Sequence, residues 1–216
     1  NQIPLTAYSY QGEAVSCNLC GCAHTLTICR TDRRLKQLRT VSCEQCGLIR
    51  TDPMPTEAEL EEYYAGEYRL DYQFALKGAP PRFHRTRSQR EAEARFALLK
   101  PVLSHGARLL DFGSGSGEFL GLTARAGLRV QGLEPGESFA AHSRKAHGVR
   151  GETGTWQQAD YAAGGFDVIT ANHVLEHLRE PVSAMRQLAS WLADDGVIHI
   201  SVPNAMGERT HSFHHF

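Results

Sequence analysis

Apolar residues recur along the chain with two different periods, and the switch between them marks out its elements. Ala92, Phe96, Leu99 and Leu103 fall on one face of a helix. Directly after them come short apolar runs of the kind that strands make. The pattern predicts strands at 108–112, 129–134, 149–152, 166–171 and 196–202. Between them lie helices at 117–126, closed by Gly127, at 137–147, closed by Gly148, and at 181–193. In the last, Pro181 sits at the first turn, and Val182, Met185, Leu188 and Leu192 form the buried stripe. Strands alternating with helices imply an α/β fold, a parallel sheet with right-handed crossovers. Upstream, Thr51-Asp52-Pro53-Met54-Pro55 reads as a stiff connector, and Thr56-x-x-Glu59 is a capping box opening a helix to about Gly66. Tyr63, Tyr64 and Tyr68 cluster at its end, and Gly78-Ala79-Pro80-Pro81 reads as a hinge.

With 216 residues, 41% of them apolar, the chain is long enough for one sizeable core and a small satellite unit. No apolar run approaches the roughly 18 residues that span a bilayer, and the N-terminus lacks the basic-then-apolar layout of a signal peptide; the expectation is a cytoplasmic protein without a membrane partner. A net charge of −1 does not favour a polyanionic partner. Two local basic clusters remain, Arg30, Arg33, Arg34, Lys36 and Arg39 in one loop and Arg82, Arg85, Arg87 and Arg90 in another, each readable as a solvated face or as phosphate contacts.

All 6 cysteines precede residue 47, which marks a separate unit. Cys17-x-x-Cys20 and Cys43-x-x-Cys46 make two knuckles able to set four thiolates around one zinc ion, with Gly21 and Gly47 freeing the turns. Four thiolates leave no open position, so such a zinc is structural. Disulfides are the competing reading, disfavoured in a reducing compartment. Cys22 and Cys29 are then spare thiols, and Cys22 or His24 is an alternative fourth ligand. The expected organisation is a zinc-binding unit over 1–52, linker and lid helices over 53–104 and a Rossmann-like domain over 105–216.

The run Leu109-Leu110-Asp111-Phe112-Gly113-Ser114-Gly115-Ser116-Gly117-Glu118 passes from strand through a glycine-rich turn into a helix start, the layout of a nucleotide-cofactor loop. The dinucleotide fingerprint would need a third glycine where Glu118 stands, and that carboxylate would repel a pyrophosphate. Acidic-x-Gly-x-Gly-x-Gly, Asp111 through Gly117, instead resembles the first motif of the class I S-adenosylmethionine (SAM) methyltransferases. Their cofactor carries a sulfonium and a free amino acid, so an acid beside the loop suits it. Glu134 ends the next strand, where a doubly wound sheet needs an acceptor for ribose hydroxyls. The resemblance further implies that Pro135 packs against adenine. The expected cofactor residues are Asp111, Gly113, Ser114, Gly115, Gly117, Glu134, Pro135, Asn172 and His173.

Ligands of open α/β sheets bind beyond the carboxyl ends of the strands, which draws attention to Asn172-His173-Val174-Leu175-Glu176-His177-Leu178. Methyl transfer is an in-line displacement, so the protein must place a nucleophile and remove its proton. His177 is the expected base, with Glu176 orienting it and His173 lining the cofactor side. This stretch is similar to the post-strand motif of many small-molecule methyltransferases, and Val202-Pro203-Asn204 resembles their next motif. The cysteine pairs, the Cys46-Gly47-Leu48-Ile49-x-x-x-Pro53-x-Pro55 linker and the tyrosine-rich helix look like the zinc-binding N-terminal region of methyltransferases from sugar and natural-product pathways. A different subgroup holds magnesium with Glu-x-x-Glu-His; here the first position is His173, a set that suits a softer divalent ion. The family's sheet has seven strands and only five are legible, so the expectation is a C-terminally truncated sheet, with residues 211–216 a frayed end or part of an acceptor pocket. The expected function is methyl transfer to a small molecule, a nucleotide-linked sugar or secondary metabolite. The competing readings are a zinc-ribbon RNA methyltransferase and a non-catalytic partner that keeps the fold as a scaffold.

Overall fold

The computed structural model describes residues 7–32, 35–65 and 82–203. The expectations for Arg33, Arg34, Tyr68, the hinge at 78–81, Asn204 and the 211–216 tail lie outside them, as do the side chains of Tyr64 and Arg82. The chain divides into two compact units, one of Asn1–Tyr63, Leu178–Val182 and Pro203–Phe216, the other of Tyr64–His177 and Ser183–Val202.

The first unit is built on an antiparallel sheet of β1 (Thr25–Thr31), β2 (Gln37–Cys43) and β3 (Ile49–Thr51), in that order. Thr25 pairs with Cys43 and Thr40 with Thr51. Among the described residues, the buried side chains of this unit are few: Val41, Cys17, Cys43, Met54 and Tyr63 carry its apolar interior. So small a core needs polar ties. Buried Arg50 donates to Asp52 Oδ1 (3.2 Å) and to the Val15 carbonyl (2.7 Å). The capping box opens α1 (Glu57–Ala65): the Thr56 amide donates to Glu59 Oε2 at 2.8 Å, and the Glu59 amide to Thr56 Oγ1 at 3.3 Å. The same carboxylate accepts the Gln11 and Gly12 amides (2.8 and 3.2 Å), a tie across 48 residues that local sequence does not announce. These amides, Thr56 first, hold the Glu59 carboxyl down to about 2. The Leu178–Val182 segment joins this unit through Arg179, which donates to the Pro55 carbonyl (2.6 Å) and pairs with Glu13, while Asn18 Nδ2 donates to the Arg179 carbonyl (2.7 Å).

In the second unit, α2 (Arg82–Leu99) leads through a short 3₁₀ turn into β4 (Arg108–Phe112), followed by α3 (Glu118–Arg125), β5 (Arg129–Glu134), α4 (Glu137–His147) and β6 (Arg150–Thr153). Then come β7 (Phe166–Asn172), α5 (Pro181–Trp191) and β8 (Leu192–Ser201). The five strands are parallel in the order β6-β5-β4-β7-β8. The apolar face of α2 packs as its periodicity requires: Ala92 and Leu99 join Leu109, Phe119, Leu120, Leu128, Val149 and Val168 in one cluster, with Phe96 and Leu103 against it. Near the other end of the sheet Tyr161 meets Phe166 and Trp191 edge-on, at 5.3 and 4.9 Å between ring centroids.

The last helix ends at Trp191, two residues before its expected end at 193, and Leu192, the last residue of its apolar stripe, already belongs to β8, pairing with Phe166. The register then shifts, so that Val197 is the next partner, opposite Val168. Gly196 allows this bend: a Cβ there would lie 2.6 Å from Leu192 Cγ and 2.9 Å from the Ala193 carbonyl oxygen. Periodicity assigns Leu192 to the helix stripe, but this backbone reversal claims it for the sheet.

Candidate functional site

The strand order reverses between β4 and β7, because β4 runs on to β5 on one side while β7 arrives on the other. A crevice opens at such a point, above the carboxyl ends of the strands. The chain leaves β4 there through Gly113, Gly115 and Gly117, all in the left-handed region with φ of 73°, 53° and 86°. The amides of Gly113 and Ser114 donate to the Leu133 carbonyl (2.8 and 3.2 Å), pinning the loop to the end of β5.

The three glycines have different reasons to be bare. A Cβ on Gly113 would lie 2.3 Å from Val174 Cγ2, and one on Gly117 would lie 2.0 Å from Ser143 Oγ. Gly115 has nothing within 4 Å of that position. Packing therefore excludes side chains from the outer two, whereas the middle one faces open space. Ser114 Oγ is buried without a hydrogen-bond partner, lying against the bare flank of Gly132 on β5, 2.6 Å from where a Cβ would stand.

Glu134, buried at the end of β5, holds this loop directly. Its Oε2 accepts the Gly115 amide at 3.0 Å and its Oε1 the Gly136 amide at 2.9 Å. A carboxylate has about four acceptor positions, which suits a group that holds the loop and faces the end of the strand. Pro135 beside it is exposed. Glu118 in the first turn of α3 is buried and accepts the Ser116 hydroxyl at 2.6 Å, so a carboxylate closes the helix start as the sequence implies.

Asp111 lies beneath the loop and only 1% exposed. Its Oδ1 accepts from Arg95 Nη1 (3.0 Å) and Thr170 Oγ1 (2.6 Å), and Oδ2 from Arg95 Nη2 (3.4 Å). Burial raises its pKa and Arg95 opposes the rise. With its oxygens taken from inside the protein, Asp111 reaches a ligand only through the loop. Sequence reasoning missed Arg95, although a signal existed: it stands three residues after Ala92 and four before Leu99, on the stripe that packs inward.

From the end of β7 the chain turns back at His173, whose φ is +54° and whose amide donates to the Ser201 carbonyl at 2.8 Å. Asn172 remains in β7, paired with Ser201. A 3₁₀ turn over Leu175–His177 then sets Glu176 Oε1 between two imidazoles, 3.2 Å from His173 Nδ1 and 4.0 Å from His177 Nε2. Burial pulls the His177 pKa down, Glu176 pulls it up and His173 down again, with a net lowering. Val174, between the two histidines, is the residue that lies on Gly113. The structure thus brings the 113–117 loop and the 173–177 turn to one crevice.

The four knuckle cysteines form a second, separate group, their sulfurs all within 4.8 Å of one another. Sγ of Cys17 is 3.6 Å from that of Cys46, and Cys20 3.5 Å from Cys43. Those separations are far above a disulfide bond and near the edge of roughly 3.8 Å that tetrahedral zinc–thiolate bonds of about 2.3 Å dictate. Both knuckles use one backbone plan: Gly21 donates to Cys17 and Gly47 to Cys43 (2.8 and 2.9 Å), while Cys17 donates to Cys22 and Cys43 to Leu48 (2.8 and 2.9 Å). Amides of Cys46 and Gln45 draw the Cys43 thiol down to about 6 against the effect of burial. Cys22 stays outside the group, engaged with the backbone of His24. In the basic loop, Lys36 lies over the Tyr8 ring at 4.6 Å and Arg39 pairs with Asp52, so both cations are already engaged within the unit.

Residues 83–216, more than half of the chain, match a family model described as a methyltransferase domain. The chain belongs to this family. The methyltransferase domain has the Rossmann-like arrangement of a parallel sheet flanked by helices. It is similar to the ubiquinone biosynthesis O-methyltransferase of Aeromonas salmonicida, 30% identical over 105 residues that make up 46% of this chain and 44% of that protein. It is likewise similar to the enzyme of that name from Marinobacter nauticus, 33% identical over 112 residues, 46% of this chain and 45% of that one. Among solved structures it resembles phosphoethanolamine N-methyltransferase 1 of Haemonchus contortus, solved with phosphoethanolamine and S-adenosylhomocysteine, at 21% identity and a TM-score of 0.48, over 56% of this chain and 28% of that one. This chain therefore spans less than half the length of the relatives it matches. Among the described residues, no helix is long and apolar enough to cross a membrane.

Proposed function

We propose that this chain is a SAM-dependent methyltransferase acting on a small-molecule acceptor, with a structural zinc ion held by Cys17, Cys20, Cys43 and Cys46. The observation that carries the reading is the 113–117 loop at the strand-order switch, with Glu134 bonded to its central amide and open space above Gly115. Family membership and the unpartnered Ser114 hydroxyl support it.

The residues fit such a cofactor as follows. Gly115 and Ser114 would receive its amino-acid end, Glu134 its ribose hydroxyls, and Pro135 its adenine. Asn172 and His173 would border it from β7. When bound, SAM supplies a methyl group made electrophilic by the sulfonium. His177, held neutral to lower pH than an ordinary imidazole, would take the proton of an acceptor hydroxyl or amine, with Glu176 orienting the ring. On the likeness to relatives named O-methyltransferases, we assign a hydroxylated acceptor, such as a nucleotide-linked sugar or a secondary metabolite. The four thiolates would supply folding energy to a unit whose apolar core is small.

Calorimetric titration of the protein with S-adenosylhomocysteine and with NAD tests the central claim. Tight binding of the first and none of the second is expected. The reverse result overturns it.

A further inference from the structure

We propose that Arg95 is a positioning residue for the cofactor loop, clamping both of its ends at once; this rests on the reading of residues 113–117 as the SAM site. Ala92, Phe96 and Leu99 point α2 at the sheet, and Arg95, a cation, shares that inward face. A guanidinium largely shielded from water there has to be paired. Arg95 forks onto the two oxygens of Asp111 (3.0 and 3.4 Å), and its Cζ lies 3.6 Å from the Phe119 ring centroid.

The sequence positions of these partners matter. Asp111 stands two residues before Gly113, and Phe119 two residues after Gly117. One planar side chain thus grips the strand that enters the loop and the helix that leaves it. Phe119 is itself almost fully buried, so the ring cannot tilt away from the guanidinium without opening the core. The grip extends sideways along one row of the sheet: Asp111 is in register with Thr170 on β7, and Thr170 with His199 on β8. On the opposite side Asp111 is in register with Gly132, whose bare flank is where Ser114 lies. The loop's floor is therefore a polar row fixed by Arg95, and only a fork can serve it. A lysine is a point charge that cannot meet both oxygens and lie flat on a ring.

The charged and titratable groups facing Asp111 are Arg95 from α2 and His199 from β8, with the Thr170 hydroxyl from β7. Arg95 is the group that opposes protonation of this buried acid most strongly. Without it, Asp111 takes up a proton at a higher pH, and Oδ1 and Oδ2 no longer anchor the strand end.

Calorimetry with S-adenosylhomocysteine, on wild type, Arg95→Lys, Arg95→Met and the double variant Arg95→Met/Asp111→Asn, tests this, with thermal melts to establish folding. Arg95→Met is expected to weaken binding roughly ten- to hundredfold, with Arg95→Lys between it and wild type, from the loss of charge-assisted hydrogen bonds. The loss in Arg95→Met should deepen as pH falls, more steeply than in wild type, because Asp111 without its cation takes up a proton at a higher pH. The double variant, with no buried charge left unpaired, should recover melting temperature but not affinity. Wild-type affinity in folded Arg95→Met, or recovery of both properties in the double variant, overturns the clamp alone. Failure of the wild-type protein to bind S-adenosylhomocysteine overturns the clamp together with the site reading it rests on.

Discussion

Val174 occupies the space that a side chain on Gly113 would need, since a Cβ built on Gly113 lies 2.3 Å from Val174 Cγ2. That contact joins the turn after β4 to the turn after β7. It makes the glycine loop and the His173–Glu176–His177 turn one object. A change at either partner should therefore be felt on both sides of the crevice.

Gly113→Ala should destabilise the protein by roughly 1–3 kcal/mol through its positive φ alone, with the overlap on Val174 added. Denaturant unfolding of Gly113→Ala beside Gly113→Ala/Val174→Ala separates the two. The second variant should regain only the steric part. Gly115→Ala carries the same kind of positive-φ strain but meets no atom of the described residues within 4 Å, so it should lose less stability than Gly113→Ala and, on the site reading, also S-adenosylhomocysteine affinity.

Glu134→Ala should lose on the order of 1.5–3 kcal/mol of cofactor affinity, the worth of charge-assisted hydrogen bonds. Two effects combine, because the carboxylate that would meet the ribose also holds the Gly115 and Gly136 amides. Calorimetry with S-adenosylhomocysteine reads the loss. Unchanged affinity would remove Glu134 from the site.

His177→Ala should lower kcat by about 10²–10⁴-fold with little change in cofactor affinity, as expected for a lost general base. A base works in its neutral form, so activity should rise with pH. Burial lowers the His177 pKa, so the rise should be centred below the ordinary imidazole value of about 6.5. A pH–rate profile of wild type with a rise centred well above that value would point to another base.

Purified protein should carry about one zinc ion per chain, lost in Cys43→Ser. Chelation should unfold the unit that holds β1–β3 and leave the parallel sheet folded. Elemental analysis and circular dichroism check both halves. A metal-free protein, purified reduced, with an intact β1–β3 sheet would rule out the structural metal.

Local patterns and long-range partners differ in how far the chain announces them, for identifiable reasons. Alternating βα segments, the glycine loop and the acid closing β5 are local patterns, and apart from the junction at Leu192 each appears where periodicity and turn chemistry put it. The cysteine knuckles are local too, and their pairing into one group follows from β1 running antiparallel to β2. The residues that support these sites are another matter. Arg95 reads as one more polar residue on a helix with many arginines, and only the observation that its face packs inward gives it weight. Thr170 and Ser143 carry no signal at all, because what matters is their register against Asp111 and their approach to Gly117.

By itself the sequence determined most strands and helices of the parallel-sheet unit, though neither the β1–β3 sheet nor the start of β8 at Leu192. It also determined where backbone must turn through positive φ and which residue types stand ready for a ligand or metal. Those are consequences of near-neighbour sterics, hydrogen bonding and periodicity, which act over a few residues. Tertiary structure alone decided that Asp111 lies under the loop and not in it, that Glu59 also holds Gln11 and Gly12, and that Val174 closes on Gly113. Such facts arise when distant strands come into register and buried charges must find partners, and no local pattern encodes which partner that will be.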